Sequence, residues 1–275
     1  MNLIENRIIA IAALASFGTL ALAEEAKNPP IDPSKAVDKG VAMPTPLDKF
    51  LALTILVKTR KIDWGGVFTA VAVDINPDDF TDKEVLIPQI LGVRIADGIM
   101  AIQAKDAEML GKTASDIEKL AKKIDVSDGD LERARRVRTL ANEGKWLDVY
   151  RELAFLQQDI MQKLEENPKD QRSTLLMISG WIQGSRYSSR LITAHYSDES
   201  SNILREPLLV KALIAKNNSL PAETQKLPSV AAISDALPTL LDIVSVKIDE
   251  PISKEKVAQV DTLATKCIDQ ILAGN

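Results

Sequence analysis

The chain has 275 residues, a net charge of −5, 45% hydrophobic residues and 4% aromatic residues. The apolar fraction supports a sizeable core, while the acidic balance gives no basis for a nucleic-acid or anionic-membrane partner. So few rings also argue against a sugar-binding surface built on stacked aromatics.

The first 23 residues read as a cleavable secretory leader. Arg7 marks a short basic region, and Ile8–Ala23 is a run of 16 residues without charge. The run ends in Ala21-Leu22-Ala23, small residues at the two positions a signal peptidase reads, followed by Glu24-Glu25. A bilayer span needs about 20 apolar residues, so the run favours a cleaved leader over the alternative of an uncleaved anchor. Cleavage after Ala23 implies a periplasmic or secreted protein, and removing 23 of the 275 residues leaves 252. No later stretch reads as a transmembrane segment. Residues 24–46 hold five prolines and no helical period, and are expected to form a Pro-rich flexible tether.

From residue 47 onward the apolar period is helical. Helices are expected at roughly 47–60, 64–74, 82–104, 106–124, 128–142, 145–166, 171–196, 198–217, 223–248 and 253–273. The run VFTAVAVDI (67–75) is the only strand candidate. Thr81 and Glu84 fit a capping box, Ser127 or Asp128 fits an N-cap, and Pro238 is expected to kink or split its helix. The fold class is therefore all-α: a multi-helix bundle or a short α-solenoid of antiparallel hairpins in one domain, 47–275. LGVRIADGIMAIQAKD (91–106) and SGWIQGSRYSSRLITA (179–194) share a weak pattern that aligns Gly92 with Gly180, which admits two related helical halves.

Candidate chemistry centres on these two segments. On a helical projection Gly180, Trp181, Gly184, Ser188, Leu191 and His195 share a broad packing side with Met177. Gln183, Arg186, Arg190 and Thr193 form a narrow polar stripe. In the earlier segment Arg94 and Asp97, at i and i+3, can pair. Buried charge needs a partner, and three arginines facing Asp97 alone leave positive charge over. Carboxylates from elsewhere (Asp159, Asp198 or Glu206) or a bound small anion would close that gap. Arg94, Asp97, Gln183, Arg186 and Arg190 are thus the candidate ligand-binding residues.

No catalytic residue is assigned. His195 has no orienting partner in the sequence, and the Ser-rich run lacks a strand–turn–helix context. No metal or cofactor site is assigned either. One His and one Cys cannot build an ordinary zinc site. The acidic loop 74–85 places Asp74, Asn76, Asp78 and Asp82 at four calcium-loop positions, but puts Asp79 where Gly belongs and Val85 where Glu belongs. Cys267 lies on the apolar stripe of the last helix and reads as a buried thiol. The four arginines of RARRVR (133–138) read as a solvated helix face or partner surface. The function expected is that of an exported, non-catalytic binding or scaffold module with a protein partner. The alternative is a small-anion-binding protein or an enzyme using the Arg/Asp/His interior.

Overall fold

The computed structural model describes residues 53, 54, 57, 64–126, 132–165, 171–247 and 250–274. The leader, the tether, most of segment 47–60 and the Ser127/Asp128 cap lie outside the described residues. Among the described residues every regular element is helical. In chain order these are α1 (Trp64–Val71), α2 (Leu86–Ala104), α3 (Ala107–Lys123), α4 (Glu132–Asn142), α5 (Trp146–Glu165), α6 (Arg172–Ala194), α7 (Asp198–Ser201), α8 (Pro207–Asn218), α9 (Ala222–Gln225), α10 (Pro228–Val244) and α11 (Lys254–Ala273). Short 3-10 turns occupy Pro77–Asp79 and Asn202–Leu204. The strand candidate 67–75 is helical to Val71 and leaves the helix without forming a ladder.

Helices α2 and α6 form the centre. They pack on each other; α3 and α5 cover α2, α11 covers α6, and α10 and α8 extend the bundle outward. Both central helices are buried almost all round, and α2 is also apolar almost all round, as expected of a helix enclosed on every side. By length and composition α2 is apolar enough to cross a membrane, contrary to the sequence reading that no later stretch is, but the other helices bury nearly all of it.

The central pair approaches closely because of Gly92. A Cβ there would lie 2.1 Å from the Leu176 carbonyl oxygen and 3.0 Å from the Gly180 nitrogen. The two glycines aligned in the internal sequence similarity therefore meet at the helix contact.

Helix ends follow their caps, with three departures from expectation. Asp106, Ser197 and Ser253 cap α3, α7 and α11 through side-chain oxygens, and Gly144 takes φ +70° in the turn between α4 and α5. The capping box at Thr81 and Glu84 does not form; Asp82 Oδ1 instead accepts from the Glu84 and Val85 amides. Segment 198–217 breaks at Pro207, which starts α8, since proline suits the first helical turn. Likewise 223–248 breaks before Pro228 and continues through Pro238, so the expected interruption lies ten residues early.

Cys267 is fully buried on the inner face of α11, with Sγ 3.5 Å from the Ala232 carbonyl. Burial pushes its thiol up to about 12, opposed by Lys266 and reinforced by Asp235. Only the thiolate is a good nucleophile. A maleimide or disulfide reagent at mildly alkaline pH is therefore expected to react at least ~100-fold more slowly with the native chain than with the urea-unfolded chain. Comparable rates would show that α11 is not closed over the thiol.

Candidate functional site

The five candidate residues divide into a buried group and a rim. Arg94 and Asp97 on α2 and Gln183 on α6 are completely buried and in contact. Arg186 stands at the edge of this group, and Arg190, one turn further along α6, is partly exposed and bonds elsewhere.

Arg94 is the hub for cations. One guanidinium nitrogen donates to Asp97 Oδ2 at 2.8 Å and to the Val73 carbonyl at 2.9 Å. The other donates to Asp116 Oδ2 at 2.8 Å and Thr113 Oγ1 at 3.1 Å, both on α3. Asp97 is the hub for acceptors. Its Oδ1 takes Gln183 Nε2 at 2.7 Å and the Tyr187 hydroxyl at 2.8 Å; its Oδ2 takes Arg94 and the Val73 amide at 3.3 Å. Burial pushes the Asp97 carboxyl up, against the pull of Arg94, Gln183, Tyr187 and the Val73 N–H. Burial, and then the Asp97 charge, hold the Tyr187 phenol well above its ordinary value, so it stays a proton donor to Asp97. Arg94 Nε and Gln183 Oε1 are buried without a partner among the described residues.

The rim completes the balance. Arg186 donates to the Val71 carbonyl at 3.1 Å and to Thr265 Oγ1 of α11 at 3.1 Å. Arg190 makes two bonds to the Asp261 carboxylate, at 3.0 and 3.1 Å. Arg94, Arg186 and Arg190 are thereby matched in number by Asp97, Asp116 and Asp261.

The carboxylates expected from sequence go elsewhere. Asp159 pairs with Arg133, Glu206 accepts from the Trp181 indole and Asp198 from the Tyr196 hydroxyl. Asp116, Asp261, Thr113, Thr265 and Tyr187 were not anticipated. Nor were the main-chain groups of Val71 and Val73. His195 follows the last residue of α6 and is exposed, not on the packing side, because the helix ends before it.

Two further sequence features resolve into ion pairs. In the acidic loop Asp74 pairs with Lys112, Asp78 with Lys123, and Asn76 Nδ2 donates to Asp79. No group of three or more His, Cys, Asp or Glu that could hold a metal occurs among the described residues. The arginines of RARRVR tie α4 to its neighbours: Arg133 and Arg136 reach Glu152 of α5, and Arg135 and Arg138 reach Glu118 of α3.

No protein-family model, curated protein or solved structure matches the chain. The structure itself defines the class, an all-α multi-helix bundle with a closed polar cluster between its two central helices.

Proposed function

We propose that the protein is an exported, non-catalytic helical module that works by binding or scaffolding. One observation carries the non-catalytic half: Arg94, Asp97 and Gln183 are fully buried and their charges are balanced from within the chain. A catalytic or anion-binding site keeps its charged groups accessible to a reactant; these groups face one another and the chain's own backbone. The leader pattern at residues 8–25 supports export.

Thermal melting of the purified mature chain in phosphate, sulfate and a series of small carboxylates tests this, with chloride at matched ionic strength as reference. Sulfate and phosphate are expected to raise Tm only by their general exclusion from the protein surface, equally in the unaltered chain and in Arg186→Ala. Arg190→Ala is expected to cost about 1 kcal/mol or less, because its ion pair is partly exposed. A rise specific to one anion and lost in Arg186→Ala would overturn the proposal in favour of an anion pocket.

A further inference from the structure

The chain holds one Asn-X-Ser/Thr triplet, Asn217-Asn218-Ser219. In an exported protein such a triplet is an acceptor for an N-linked glycan, and an occupied acceptor lies on the surface because the sugar is bulky and hydrophilic. Asn217 does not meet that condition. It lies in the last turn of α8 and is 2% exposed. Its Nδ2, the atom that would carry the sugar, donates to Ser234 Oγ of α10 at 2.8 Å. Val210 and Leu213, four and seven residues earlier on the same side of α8, are also buried. The turn that follows is closed as well. Gln225 Nε2 donates to the Asn218 and Leu220 carbonyls, and Leu220 is buried.

We infer that a glycan on Asn217 and the native fold exclude each other, and that the protein is exported by a route that leaves Asn217 bare. This rests on the export reading and names the route: translocation of the bacterial kind, without transfer of glycans to Asn-X-Ser. Glycans are attached while the chain is still unfolded, when burial offers Asn217 no protection. Even one sugar ring on Nδ2 would then stand between α8 and α10 and hold the two helices apart.

The damage would reach beyond α8. Helix α10 packs on both α8 and α11. Ser234 meets Asn217 of α8, and the Ala232 carbonyl lies 3.5 Å from Cys267 Sγ of α11. Displacing α10 therefore uncovers Cys267, whose reactivity reports whether the bundle has closed.

Expression of residues 24–275 behind a eukaryotic leader, in a host that glycosylates secreted chains, tests this. The unaltered chain is expected to carry one glycan and to stay inside the cell, with a secreted yield at least ~10-fold below that of Ser219→Ala. In the retained, glycan-bearing chain Cys267 is expected to react with maleimide as fast as in urea. Ser219→Gly also removes the acceptor triplet, suits the end of a helix and serves if Ser219→Ala folds poorly. Made in a bacterial host, the unaltered chain and both variants are expected to share one Tm, because the Ser219 hydroxyl donates only to the exposed Lys216 carbonyl. A glycan-bearing chain with native Tm and a slow Cys267 would overturn the inference, and so would a secreted yield that neither variant raises. The export reading fails separately, if the full chain made in bacteria keeps residues 1–23 and remains in the cytosol.

Discussion

Gly92→Ala is expected to destabilise the fold by about 3 kcal/mol or more, at or beyond the upper end of ordinary overpacking. The added carbon would lie 2.1 Å from the Leu176 carbonyl oxygen, and the other near atoms, Leu176 C and Gly180 N, are also main chain. No rotamer change relieves a clash with a helix backbone, so α2 and α6 must separate. Separation loosens the apolar contacts of the two most buried helices and lengthens the bonds that Gln183 and Tyr187 donate to Asp97. Gly111, inside α3 with nothing within 4 Å of its Cβ position, is the matched control. Gly111→Ala is expected to stabilise by about 0.5–1 kcal/mol, the usual gain for alanine inside a helix. Urea unfolding followed by circular dichroism separates the two. A Gly92→Ala midpoint equal to that of the unaltered chain would disprove the close contact.

Arg94→Met is expected to cost about 3–5 kcal/mol at neutral pH, the usual consequence of leaving a buried charge without its partner. It strips the cation from both Asp97 and Asp116 and removes the donor from the Val73 carbonyl. The loss should depend on pH in a defined sense. Burial already holds the Asp97 carboxyl above the ordinary 3.8, and Arg94 is the first force opposing it. Without Arg94 the carboxyl climbs further. A carboxyl raised in the folded state binds its proton more tightly there than in the unfolded chain. Its stabilising contribution is therefore complete below the unfolded value and is lost as pH rises through the folded value. The deficit of Arg94→Met should be largest at neutral pH and shrink on acidification. A deficit that grows on acidification would contradict the placement of Arg94 beside Asp97.

Much of the architecture is legible in the sequence where period and cap agree. Helices α3, α6 and α11 lie within two residues of expectation, because Asp106 and Ser253 announce two of the starts and Gly274 follows one of the ends. The prolines misled in a consistent way. Pro207 and Pro228 begin helices, where a missing N–H costs nothing, whereas Pro238 is accommodated inside one. The surplus of arginine charge was legible too; its partners were not. Asp116 sits in the stretch KTASDIEKL, which looks like an ordinary amphipathic surface, and only the packing of α3 on α2 turns it inward. Asp261 is 71 residues from Arg190. The main-chain groups of Val71 and Val73 have no residue signature at all, so their place in the cluster could be found only in three dimensions.

The central claim is that the buried charges serve one another and the chain's own backbone. A double-mutant cycle between Arg94 and Asp97 tests it most directly, with Arg94→Met, Asp97→Leu and the double variant compared by urea unfolding at neutral pH. Each single variant is expected to lose several kcal/mol, and the double variant to lose less than the sum by about 2 kcal/mol or more, since groups in direct contact within one network do not act additively. Additive losses would contradict the account and leave the two charges to act separately.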